Sequence, residues 1–191
     1  MAIVEITGVL IDGIVTAVPK NRIDNLNDPN IEKEQGEKIL KTTGIRYRRL
    51  ASDTTTTSDL CYIAAVNLLE QFQTFREDIE ILVFVSQTPD YILPATAPIL
   101  QHKLGLGSNV AAFDMNMGCS GYVYGLSTIT SILNNSKNPN AKALLLVGDT
   151  VSKLCSTSDS ATYPLFGDAG SATLISKSKE GKFIFDLNSD G

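Results

Sequence analysis

Three short runs dominate what this chain can fold into. "VAAFDMN" at 110–116 reads as one strand, and "IEILVFVSQT" ending at Thr88 and "AKALLLVGD" at 141–149 are apolar at successive positions, so a strand built from either is hydrophobic on both faces. Such strands are stable only inside a sheet covered on both sides. The segments between them have helical spacing: in "TSDLCYIAAVNLLEQF", Leu60, Ala64, Leu68 and Phe72 repeat along one face, with Ser58 or Asp59 placed to cap it, and "CSGYVYGLSTITSILNN" reads as a second helix. Alternating strands and helices imply an α/β fold with a parallel sheet and right-handed crossovers.

Around this centre, "AIVEITGVL" at 2–10 reads as a strand leading into a Gly/Pro-punctuated connection through Pro19, and "EKEQGEKILKTTG" as a short helix stopped at Gly44. After a polar loop, "SATLISKS" and "KFIFDLNSDG" read as two strands around a turn at Gly181. With 191 residues, 43% hydrophobic and 19% charged, the chain is long enough for a continuous core. A net charge of −5 and no basic block beyond "RYRR" at 46–49 argue against nucleic acid and membrane surfaces. The opening "MAIVEITGVLIDG" lacks a basic leader and carries Glu5, so a cytoplasmic protein is expected. "RYRR" reads either as a solvated face or as a contact for an acidic partner.

Three cysteines without CxxC spacing fit reduced thiols, and no metal or other cofactor is expected. Cys61 falls on the apolar stripe of its helix and reads as packing; Cys155 lies in a polar loop without a visible partner. Cys119, in "GCSG", is different. It stands where a buried strand gives way to a helix, at the end of the sheet where α/β proteins gather ligands. There the helix dipole and free backbone N–H groups favour a thiolate and could steady an oxyanion, while Gly118 and Gly121 would leave room for a substrate. Geometry leaves open whether Cys119 is a nucleophile or a small packing residue. The single histidine, His102, reads as a solvent-facing helix residue.

Five segments in order, "KTTGIRYRRLA", "FDMNMGCSGYVYGL", "LLLVGDTVSKL", "LFGDAGSATLI" and "LNSDG", resemble beta-ketoacyl-acyl-carrier-protein synthase III, one of the thiolase-like condensing enzymes. Members are about twice as long, with two similar halves, and residues 1–191 resemble the N-terminal one. The resemblance implies one half of a thiolase-like fold, a mixed five-stranded sheet with helices on both faces. It implies that Cys119 accepts an acyl group from an acyl-CoA or acyl-carrier-protein thioester. Condensation with malonyl carrier protein would follow, helped by a His and an Asn from the missing C-terminal half. It implies a homodimer in which the loop "TPDYILPAT" reaches into the partner's acyl pocket, with Leu93 at the gate. The family's adenine clasp, a tryptophan and an arginine, falls at Lys38 and Ser160, and the arginine usual before "TGI" is Thr42, which points to a carrier-bound or unusual acyl donor. Asp168 of "FGDAG" orders a turn, with Gly167 and Gly170 letting the backbone pass close to the site. The rival readings are a non-catalytic subunit serving as a heterodimer partner and a cysteine hydrolase of α/β type; "GCSG" does not match the G-x-S-x-G elbow, which weakens the latter.

Overall fold

The computed structural model describes residues 2–189. Its strands are β1 (Ala2–Ala17), β2 (Arg22–Asp24), β3 (Tyr47–Arg49), β4 (Ile79–Val85), β5 (Ala111–Met115), β6 (Lys142–Asp149) and β7 (Ala169–Leu187). The helices are α1 (Lys33–Thr43), α2 (Thr57–Gln71), α3 (Thr96–Lys103) and α4 (Gly121–Asn135). The main sheet has the order β1-β7-β6-β4-β5, and β2 pairs with β3 in a separate two-stranded ribbon.

The three runs become β4, β5 and β6, mutually parallel, with β4 paired to both neighbours and β5 at the half-buried edge of the sheet. Side chains alternate along β4, so Leu82 and Phe84 enter one core with Leu68 and Leu100 of α2 and α3. Ile81, Val83 and Val85 enter a second core with Ile129 and Leu133 of α4. Leu82, Leu144, Leu145, Leu146 and Leu174 are all buried completely or nearly so. Each contributes about 1.5–3 kcal/mol relative to an exposed side chain. The result is an α/β layer with a mixed five-stranded sheet and helices on both faces.

The expectation of a parallel sheet is corrected at β7, which runs antiparallel to both β6 and β1. A β6–β7 link without a helix allows this, because antiparallel neighbours need no crossover. The strand expected at 2–10 continues to Ala17, and the two strands expected around Gly181 are one strand of 19 residues. Gly181 is not a free turn. It lies inside the β1/β7 ladder, where register slips between Thr7↔Lys182 and Val9↔Lys177, and a Cβ there would stand 1.8 Å from the Val9 carbonyl oxygen. The last two residues of "KFIFDLNSDG", Asp190 and Gly191, lie outside the described residues.

Two local readings also change. The N-cap of α2 is Thr56, two or three residues earlier than expected: its hydroxyl accepts from Asp59 N–H while the Asp59 carboxylate accepts from Thr56 N–H. "RYRR" is divided between two faces: Arg46 and Tyr47 are exposed, and Arg48 alone is buried. Strand pairing sets Arg48 opposite Ile23 and turns both inward. Arg48 is buried, 2.9 Å from Asp28, and donates to Asn25 Oδ1 and to the carbonyls of Tyr163 and Phe166. The α1 helix ends as expected, with Gly44 at φ 74 and its N–H returned to the Leu40 carbonyl.

Candidate active site

The carboxyl ends of β4, β5 and β6 open on one side of the sheet, and aspartates tie the loops there to helix starts. Asp149, at the end of β6, accepts from Gln87 N–H at 2.7 Å, Thr88 N–H at 3.2 Å and the Ser86 hydroxyl at 3.0 Å, which fixes the loop after β4. Asp114 of β5 accepts from Thr96 and Ala97 N–H, both at 2.7 Å, capping α3 from another element. Asp90 takes the Ser58 hydroxyl at 2.5 Å and the Thr56 hydroxyl at 3.1 Å at the start of α2. Asp168 is buried and accepts from Ala51 N–H, Ser152 N–H and the Ser152 hydroxyl, the turn-ordering use expected of it. Sequence reading missed the first three, because their partners lie 17 to 63 residues away and leave no local pattern.

Cys119 is the middle residue of a single 3-10 turn, Gly118–Ser120, that feeds directly into α4. The turn is closed by Gly121 N–H to the Gly118 carbonyl and by the Ser120 hydroxyl to the Met117 carbonyl at 2.9 Å. The Cys119 thiol is exposed, and no side chain caps the N-terminus of α4 beside it. Gly118 has φ +56, a left-handed conformation that a side chain would strain. The flanking glycines divide the work differently from expectation. A Cβ on Gly121 would stand 2.6 Å from Val85 Cγ1, so that glycine seats α4 on the sheet and leaves no room for a substrate.

Next to this turn, a Cβ on Gly118 would lie 3.7 Å from Gln87 Oε1, and Gln87 also lines a pocket of about 380 Å³ with Thr57, Thr88, Asp90, Ile92 and Thr150. The hydroxyl of Thr57 lies 2.8 Å from that of Thr88 and 3.1 Å from that of Thr150, giving the pocket a polar floor. A larger hollow of about 600 Å³, at Glu80, Asn109, Ile132 and Asn135, lies at the amino ends of β4 and β5, the far end of the sheet from Cys119. The smaller one lies at the carboxyl ends of the strands, the end at which open α/β sheets gather ligands.

Leu93 is 84% exposed and Ile92 94%, so neither side chain is buried in this chain. Lys38 and Ser160 are exposed on elements that meet: Gln35, one turn before Lys38, donates to the Ser160 carbonyl at 3.2 Å. His102 is exposed on α3. Cys61 is buried beneath α2, and burial pushes its thiol up to about 12. Among the described residues no cluster of His, Cys, Asp and Glu could hold a metal ion, and no helix is long and apolar enough to cross a membrane.

Residues 113–191 match the family model for 3-oxoacyl-[acyl-carrier-protein] synthase III. A beta-ketoacyl-[acyl-carrier-protein] synthase III of Halalkalibacterium halodurans is 34% identical over 183 residues, covering 95% of this chain and 54% of that protein. One from Desulfitobacterium hafniense is 33% identical, covering 94% and 54%. The solved 3-oxoacyl-(acyl-carrier protein) synthase of Burkholderia xenovorans superposes with a TM-score of 0.88 at 35% identity, over 95% of this chain and 52% of that one. That of Thermus thermophilus gives 0.81 at 30% identity, over 92% and 53%. The chain spans about half the length of the curated relatives it matches.

Proposed function

We propose that this chain, which shares both sequence and fold with the beta-ketoacyl-acyl-carrier-protein synthase III family, is the nucleophile-bearing N-terminal thiolase-like unit of a condensing enzyme, with Cys119 as its acyl acceptor. The observation that carries the proposal is the setting of Cys119: an exposed thiol on a tight turn at the carboxyl end of the sheet, directly before an uncapped helix and beside a pocket.

In this reading the Cys119 sulfur, as thiolate, attacks the carbonyl carbon of an acyl thioester. A carbon–sulfur bond forms, the carbonyl oxygen takes the negative charge, and N–H groups at the start of α4 stabilise it. Collapse breaks the original carbon–sulfur bond and releases CoA or the carrier thiol, which takes up the proton lost by Cys119. The acyl-enzyme then meets malonyl carrier protein; loss of carbon dioxide supplies a carbanion that attacks the acyl carbonyl carbon, the new carbon–carbon bond forms as the bond to the Cys119 sulfur breaks, and a 3-oxoacyl thioester leaves with the Cys119 thiolate restored. The His and Asn that assist this second stage are provided by residues outside the 191. His102, exposed on α3, does not serve. The exposed Leu93 loop is the acyl-pocket gate and reaches into a second copy of the enzyme, and the protein acts in the cytoplasm.

Incubation with acyl-CoA and acyl-carrier-protein thioesters, followed by intact-mass and peptide mass spectrometry, tests the first stage. A persistent adduct on Cys119, absent in Cys119→Ser, is expected. An adduct rapidly lost to water would make the chain a hydrolase, and no adduct would favour a non-catalytic partner subunit.

A further inference from the structure

The β2–β3 ribbon carries a cationic surface that neither the core nor the proposed chemistry uses. Pairing sets Arg22 directly opposite Arg49 and Asp24 opposite Tyr47, all on the face away from Arg48. Like charges facing each other across two strands are destabilising unless an anion lies between or above them. The Arg22 guanidinium lies 3.5 Å from the Tyr47 ring centroid and that of Arg46 5.1 Å, so both are held flat by cation–π contacts. Arg46 is 3.4 Å from Asp24. Among the described residues, Arg22 and Arg49 meet no carboxylate at ion-pair distance; Arg49 instead donates to the Pro19 and Lys20 carbonyls, which orients its charge without neutralising it.

Behind this surface, the buried Arg48–Asp28 pair and its bonds to Asn25 and Tyr163 hold the ribbon in place. Guanidinium groups fixed in advance lose little freedom on meeting paired oxygens. Arg22, Arg46, Tyr47 and Arg49 line none of the main pockets. A small anion or nucleotide needs a concave site, whereas an acidic protein surface can meet such a strip by complementary charge.

We infer that the outward face of the β2–β3 ribbon, through Arg22, Arg46, Arg49 and Tyr47, docks an acidic carrier protein that delivers the acyl thioester. The identity of the partner rests on the acyl-transfer reading above; the docking surface does not. In a chain of net charge −5, this strip gives an acidic protein a local point of approach.

The test is binding of an acidic holo acyl carrier protein to the chain by fluorescence anisotropy at low and high salt, alongside Cys119 acylation by a small pantetheine thioester. Arg22→Glu/Arg49→Glu should weaken carrier binding at least about tenfold and flatten its salt dependence. Acylation by the small thioester should stay unchanged. Arg22→Gln/Arg49→Gln should give an intermediate loss, and Lys179→Glu, on β7, none; melting temperatures identify any variant that fails to fold. Wild-type chain that does not bind the carrier, or binding within twofold in the charge-reversed variant, overturns the inference. So does a loss confined to CoA thioesters, which would assign the ribbon to a nucleotide. If carrier binding depends on the ribbon while no thioester acylates Cys119, the docking surface stands and the acyl-transfer reading falls.

Discussion

Cys61, in the second turn of α2, and Cys119, in the turn that enters α4, both belong to elements that pack through glycines on the central sheet, and the two regions use that arrangement to opposite ends. At Cys61 the glycines belong to the sheet. A Cβ on Gly148 would stand 3.1 Å from the Cys61 sulfur, and one on Gly170 2.5 Å from its backbone nitrogen, so α2 sits almost on the β6–β7 backbone and the thiol is sealed beneath it. At Cys119 the glycines belong to the helix and its turn. Gly121 and Gly125 let α4 close on Val85 and Leu145, while Gly118 takes φ +56 in the turn before the helix, and the Cys119 sulfur in that turn is exposed. The same residue type beside the same kind of close contact is core in one place and a solvent-exposed thiol in the other. What decides is whether the residue lies inside the helix or in the turn that enters it.

The sharpest way to break this contrast is thiol alkylation read peptide by peptide. At pH 8, a thiol whose pKa is pushed up to about 12 is ionised to about one part in 10⁴, and Cys61 must also be uncovered by opening of α2. Cys119 should label at least about a thousandfold faster than Cys61. Comparable rates would mean that α2 does not seal the site. Next in size is Gly170→Ala, whose methyl would press on the backbone of Leu60 and Cys61 and should cost about 3 kcal/mol in urea unfolding. Gly118→Ala meets only the far end of Gln87 and carries the left-handed strain alone, about 1 kcal/mol.

Much of this contrast is legible in the sequence, and the remainder is hidden for a physical reason. The helical stripe through Leu60, Ala64 and Leu68 already buries Cys61, and the strand-to-helix junction already puts Cys119 at the ligand end of the sheet. Local periodicity carries that information. Strand direction is different, because it is set by pairing: β7 runs against β6, although its sequence reads like any apolar strand. Arg48 escaped because a four-residue basic run reads as solvated, and only pairing with Ile23 shows that alternation turns it inward. Gln87 and its anchor Asp149 are separated by 62 residues, so no window of sequence joins them beside Cys119.

A smaller effect distinguishes the two thiols by polarity. Cys61→Ser puts a hydroxyl in a site with 0% exposure among Ala64, Ala65 and Leu144, and should cost about 1–3 kcal/mol. Cys119→Ser, already in water, should shift stability by no more than about 0.5 kcal/mol while abolishing the acyl adduct. A large stability loss in the second variant would mean that the Cys119 turn is a packing element after all.

The buried thiol also has a signature in pH. In the folded chain Cys61 keeps its proton to about 12, because burial penalises the thiolate; in the unfolded chain it releases the proton near the ordinary 9.0. Above pH 9 the unfolded state therefore binds fewer protons than the folded one, so stability falls as pH rises. The contribution is fully present below 9 and is lost progressively toward 12, with a slope of about 1.4 kcal/mol per pH unit once the unfolded thiol is ionised. Urea midpoints at pH 7 and pH 10 should therefore separate wild type from Cys61→Ala: at pH 10 the wild type loses about 1.4 kcal/mol more than the variant, which has no thiol to ionise. Other groups that titrate in this range are common to both proteins and cancel in the difference. Equal losses would show that Cys61 ionises as readily in the folded chain as in the unfolded one, and the seal under α2 would then be no barrier to a charge.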